Sequence, residues 1–105
     1  MKHVLLVDED GWAIALMSRV LRDAGLFVSV ARSALAARGI LDVVRPDLLI
    51  VDAGLPDELA RYARAQGIAT YAIAAKGFSR GSSQILRQLQ NLIRAESAPT
   101  VSPEH

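Results

Sequence analysis

Two short apolar runs, each stopped by acid, constrain this chain more than any other feature. Pro46-Asp47-Leu48-Leu49-Ile50-Val51-Asp52-Ala53-Gly54-Leu55-Pro56 holds four consecutive aliphatic residues up to Asp52, and Val4-Leu5-Leu6-Val7 runs the same way into Asp8-Glu9-Asp10. A strand with one wet face alternates apolar and polar residues, whereas an unbroken run fits a parallel strand covered on both faces. Such a strand has room for a carboxylate only at its tip. In open α/β sheets the C-terminal edge is where ligands bind. Taken alone, Asp52 reads equally well as a solvated loop acid or a cap for the next helix.

The segments between these runs have helical spacing. From Gly11 to Ala24, Leu16 or Met17, Val20, Leu21 and Ala24 share one face, opposite Arg19, Arg22 and Asp23. Asp10 is the expected N-cap and Gly25 the left-handed residue after the helix. Leu26 to Ala31 is rich in β-formers and reads as a strand. Ser33 caps a second helix that turns Ala37, Ile40, Leu41 and Val44 inward and stops at Pro46. Gly39 weakens that helix by roughly 1 kcal/mol relative to alanine while allowing close approach to the sheet.

Asp57 to Gln66 is a short helix, capped by Asp57 and ended by Gly67, and Ile68 to Ala75 is a fourth strand ending at Lys76. Phe78 to Arg94 closes the fold with Ile85, Leu86, Leu89, Leu92 and Ile93 inward and Ser79, Ser82 or Ser83 as cap. Two prolines and no periodicity mark residues 96–105 as a disordered tail, leaving residues 1–95 as one domain. Four βα units with short connections predict an α/β fold, a parallel sheet with helices on both faces.

Composition narrows the chemistry. The chain has 105 residues and no cysteine, which excludes disulfides, thiolate catalysis and cysteine-based zinc sites. A net charge of +1 gives no global pull toward nucleic acid or an anionic membrane. The first apolar run meets acids too soon for a signal peptide, and no stretch is long enough to span a membrane, so a cytoplasmic protein is expected.

Right-handed crossovers allow the first and third strands to lie side by side, bringing Asp8, Glu9 and Asp52 to one edge. Three carboxylates there repel unless a hard cation shares them. Mg²⁺ suits such a site, because it takes a few protein oxygens and keeps water for a phosphoryl group to displace. Lys76, at the same edge, can neutralise a phosphoryl oxygen as a point charge. Asp10 reads as a cap and Trp12 and Tyr71 as packing residues. His3 has no acid placed to make it catalytic, and the arginines of the last helix read as its wet face.

The sequence resembles the receiver domains of two-component response regulators. The resemblance is carried by Val7-Asp8-Glu9-Asp10, by Pro46-Asp47-Leu48-Leu49-Ile50-Val51-Asp52 with Leu55-Pro56 following, and by Lys76-Gly77-Phe78-Ser79, where the family usually has proline at Gly77. It implies a flavodoxin-like, receiver-type sheet. Asp52 would be the phosphoacceptor, Asp8 and Glu9 the Mg²⁺ acids, the Gly54 carbonyl a metal ligand and Lys76 the phosphate contact. Receivers have five strands, and only one helix and one strand lie between Asp52 and Lys76, so one βα unit is missing and four strands are expected. Ile68 to Ala75 matches either the fourth receiver strand or the fifth moved into its place. Under the first alignment Ala74 stands where receivers carry the switch Thr or Ser; under the second, Ile73 holds the aromatic switch position. Neither supplies the hydroxyl.

The expected function is a stand-alone receiver-like signalling protein, phosphorylated on Asp52 by a histidine kinase or phosphotransfer protein and acting through protein contacts. The alternative is a phosphorylation-independent pseudo-receiver, an interaction or dimerisation module. An enzyme is not expected, since a phosphate-cradling Gly-rich loop, a cysteine nucleophile and a Ser/His pair are all missing. An uncharged edge strand from Ile68 to Ala75 predicts a homodimer across that edge or by exchange of the last strand and helix.

Overall fold

The computed structural model describes residues 2–74 and 82–97. Strands β1 (His3–Val7), β2 (Phe27–Ala31), β3 (Leu48–Asp52) and β4 (Ala69–Ile73) alternate with helices α1 (Gly11–Asp23), α2 (Ala34–Val43), α3 (Glu58–Ala65) and α4 (Ser82–Ser97). All strand pairs are parallel, in the order β2-β1-β3-β4. Every residue of β3 is buried, as are four of the five in β1, whereas β2 and β4 are only partly covered. Continuous apolar runs therefore mark the two central strands, as double coverage requires.

Alternation along the strands divides the core. Val4 and Leu6 of β1 and Leu48 and Ile50 of β3 face α1 and α4, with Ile85, Leu89 and Leu92 of α4 closing that layer. Leu5, Val7, Leu49 and Val51 face α2 and α3, meeting Ala37, Leu41, Leu59 and Ala63. The helices after β1 and β3 thus leave on opposite faces of the sheet. The crevice between those two strand tips is a topological switch point. No helix among the described residues is long and apolar enough to cross a membrane.

The helix ends follow local chemistry. Asp10 Oδ1 accepts from Trp12 N–H at 2.9 Å and Ser33 Oγ from Ala36 N–H at 3.1 Å, so both expected caps form. After α1 the Gly25 N–H donates to Arg22 O and the Leu26 N–H to Leu21 O; after α3 the Gly67 and Ile68 N–H groups repeat the pattern on Arg64 and Ala63. These are paired closing bonds that need a left-handed residue, and Gly25 and Gly67 have φ of 89° and 80°.

Several expectations need correction. Asp57 precedes α3 with helical backbone angles and its side chain makes no cap bond. Ala24 and Val44 are exposed, because each lies at a helix end; Val44 is already extended at φ −119°, where helical spacing no longer applies. The buried side of α1 is Ala13, Ile14, Met17, Ser18 and Leu21, with Leu16 and Val20 on its flank. Trp12 does not pack in the core and is 54 % exposed. Gly39 faces open space, with nothing within 4 Å of where its Cβ would stand, and Ala37 makes the close approach to the sheet.

At the far end α4 continues through Ser97, past the expected boundary at residue 95, while Phe78, Ser79 and residues 98–105 lie outside the described residues. Its last turn has partners: Glu96 accepts from Lys2 Nζ at 2.9 Å and from the Tyr71 hydroxyl. Tyr71 thus packs against the core and also ties α4 to β4.

The same substitution is expected to act with opposite signs at two glycines. Gly39→Ala raises unfolding free energy by about 1 kcal/mol, and Gly67→Ala lowers it by about 1 kcal/mol because alanine resists the left-handed backbone. Urea denaturation with an unchanged slope checks both; equal signs would contradict the assignment.

Candidate functional site

Two hydrogen bonds prolong the sheet past the tips of its central strands. Asp8 N–H donates to Ala31 O at 3.2 Å, and Ala53 N–H donates to Ile73 O at 3.0 Å. Asp8 and Asp52 are thereby held as the first polar residues after two buried apolar strands. Both remain buried, at 3 % and 5 % exposure. The chain turns at once after Asp52, whose carbonyl accepts from Leu55 N–H at 3.0 Å, and the turn carries Gly54 at the surface.

Their carboxylates are incompletely satisfied. Asp8 Oδ1 accepts from Asp10 N–H at 2.9 Å, but Asp8 Oδ2 and Asp52 Oδ1 are buried with no hydrogen-bond partner. Burial pushes the Asp8 pKa up, the Asp10 N–H opposes that, and the charges of Asp52, Asp10 and Glu9 raise it further. Buried polar atoms are nearly always partnered, so two orphaned carboxylate oxygens at one sheet edge form a donor set that a hard cation would satisfy.

Glu9 is exposed beside them, and the structure does not gather it with Asp8 and Asp52. Among the described residues no group of three or more His, Asp or Glu side chains converges closely enough to hold a metal ion. A divalent ion at this edge would take the Asp8 and Asp52 carboxylates and complete its shell with backbone oxygen, Gly54 being at hand, and water. Mg²⁺ keeps several waters in most of its sites. Lys76, the expected phosphate contact, lies outside the described residues.

Arg32 is the residue that sequence reasoning passed over. Standing directly after β2, its Nε and Nη2 donate to the Glu9 carbonyl at 3.2 and 2.8 Å. Its guanidinium lies over Gly11, where an added Cβ would stand 3.4 Å from Nη1. Adjacency of the strand tips is the signal that could have found it: Val7 pairs with Ala31, so residue 32 must lie beside residues 8 and 9. His3 Nε2 shares a 2.7 Å hydrogen bond with Ser29 Oγ, far from the acids at the opposite end of β1.

No protein family model matches the sequence, and no curated protein matches it. Similarity to solved structures is extensive. A two-component response regulator from Clostridium difficile superposes with a TM-score of 0.72 at 15 % identity, over 90 % of this chain and 94 % of that one. A CheY-like receiver domain protein from Methanospirillum hungatei gives 0.69 at 17 % identity, over 91 % and 96 %. The chemotaxis protein CheY4 of Vibrio cholerae gives 0.65 at 24 % identity, over 87 % and 98 %. The chain has the fold of the response regulator receiver domains, carried among the described residues on four parallel strands.

Proposed function

We propose that the chain is a receiver-like signalling module that accepts a phosphoryl group on Asp52 from a histidine kinase or phosphotransfer protein and acts through protein contacts. The observation that carries this reading is the buried Asp52 Oδ1, without a hydrogen-bond partner at the tip of β3, next to the strand that Asp8 follows. In the transfer an Asp52 oxygen attacks phosphorus. The phosphorus–nitrogen bond to the donor imidazole breaks with its electron pair going to nitrogen, and an acyl phosphate remains on Asp52. Asp8, Asp52 and the Gly54 carbonyl would hold Mg²⁺, with Glu9 beside them, and the ion when bound supplies positive charge against phosphoryl oxygens. Lys76 is assigned to the same charge.

One observation favours the alternative, a phosphorylation-independent interaction module. The residue after β4 is Ala74, without a hydroxyl, and its peptide N–H and C=O are both hydrogen-bonded to the Gln88 carboxamide of α4, at 3.3 and 3.4 Å. Incubation with Mg²⁺ and acetyl phosphate, followed by intact mass, separates the two readings. Wild type gains one phosphoryl group and Asp52→Asn gains none; an unmodified wild type at saturating donor selects the alternative.

A homodimer across β4 belongs to either reading. β4 ends the sheet among the described residues and carries no charged side chain. Ile73 O faces β3, so by alternation the peptide groups of Thr70, Ala72 and Ala74 face outward; Gln88 fills the place at Ala74, leaving the stretch before it for pairing. Light scattering is expected to show mass rising toward a dimer between micromolar and near-millimolar protein, and a constant monomer mass refutes it.

Asp8 adds a pH dependence. Its folded pKa is raised, so its contribution to stability is complete below the ordinary value of 3.8 and is lost as pH rises through the folded value. Asp8→Asn is therefore expected to stabilise the metal-free protein at pH 7 by about 1 kcal/mol, with the difference shrinking toward pH 4. Urea denaturation at both pH values measures it. Mg²⁺ should stabilise the wild type at pH 7 far more than the variant.

A further inference from the structure

The loop from Asp8 to Gly11 has to hold acids together against their own repulsion. Hydrogen bonds that oppose it among the described residues include Asp8 N–H to Ala31 O, Asp10 N–H to Asp8 Oδ1, and a pair from the Arg32 guanidinium to Glu9 O. The first belongs to the sheet and the second is internal to the loop. The Arg32 pair comes from a side chain of another element, and it grips the peptide that joins Glu9 to the cap. We infer that Arg32 is a positioning residue of the acidic site, fastening the Glu9 peptide so that the neighbouring Asp8 carboxylate stays presented, beside Asp52, to a divalent cation. This rests on the reading of the site as a Mg²⁺ pocket.

The geometry separates this role from simple charge. Two N–H groups on one side of the guanidinium converge on a single carbonyl, a hold that a planar fork provides and an ammonium does not. Coulomb's law alone gives the opposite expectation: deleting a cation beside a cation-binding site strengthens binding there. Loss of position weakens it. The sign of the effect therefore decides which role Arg32 has.

Titration of Mg²⁺ alone tests this, read as the rise in melting temperature and by fluorescence of Trp12, the single tryptophan, whose peptide N–H donates to the Asp10 carboxylate of the same loop. Arg32→Ala is expected to weaken Mg²⁺ binding about tenfold, the lower end of what loss of an outer-shell partner costs a metal site. Arg32→Lys, which keeps the charge and loses the fork, should stay within about threefold of the alanine variant, since a point charge does not restore the hold. A purely structural arginine would lower the metal-free melting temperature and leave Mg²⁺ affinity unchanged. Equal or tighter binding by Arg32→Ala, with wild type binding normally, overturns the positioning role alone. A wild type that shows no saturable response to Mg²⁺ overturns the pocket reading and this role with it.

Discussion

Coverage of β1 and β3 on both faces is the constraint on which the rest of the structure depends. Those two strands touch helices above and below, so their bodies must be aliphatic throughout. A polar side chain inside either strand would be buried without water, at a cost of roughly 1–3 kcal/mol unless a partner were built for it. The first positions where an acid is tolerable are the tips, and both strands place one there immediately. The acids are adjacent because the strands are, and the strands are adjacent because α1 and α2 pass on opposite faces between them.

Tolerable is not free of cost. Asp8 and Asp52 stay buried, and each retains a carboxylate oxygen without a partner. The sheet supplies the rigidity that keeps them there, through Asp8 N–H on Ala31 and Ala53 N–H on Ile73. Repulsion is thus resisted by peptide hydrogen bonds and a guanidinium on a backbone carbonyl, and among the described residues no salt bridge to either buried acid relieves it. Such a site is stable in its geometry and unfavourable in its charge, the combination that makes a cation's arrival stabilising.

Much of this was legible because it is local. Four βα units, the caps at Asp10 and Ser33 and the left-handed glycines at 25 and 67 are written in short-range spacing, and the pairing of Asp8 with Asp52 follows from crossover rules. What escaped is long-range or marginal. Arg32 reaches across from the end of the neighbouring strand, and Tyr71 of β4, Glu96 of α4 and Lys2, just before β1, meet from distant parts of the chain; no periodicity within one segment reports such contacts. Ala24 and Trp12 have apolar side chains, yet they stand where α1 ends and starts at the surface, and there burial does not follow hydrophobicity. Asp57 has the right residue type for a cap, but its backbone is already helical and cannot turn the carboxylate onto the first amides.

The loss of a βα unit falls on the periphery. With four strands, two helices still cover each face, so β1 and β3 keep full burial and the acid pair keeps its walls. The change is felt at β4, which becomes the end of the sheet among the described residues and is correspondingly half-exposed, with Ala69 and Ala72 outward and Ile73 its one buried anchor. Alanine is a weak strand former, so this strand needs help from outside its own sequence. It receives it from α4: Glu96 holds Tyr71 at the middle of the strand and Gln88 caps the peptide of Ala74 just after its end. A side-chain carboxamide here takes the place of a neighbouring strand's peptide at Ala74, so the last helix caps the C-terminal end of the edge strand. The shortened fold leaves the acidic edge untouched and shifts its compensation to the β4–α4 seam.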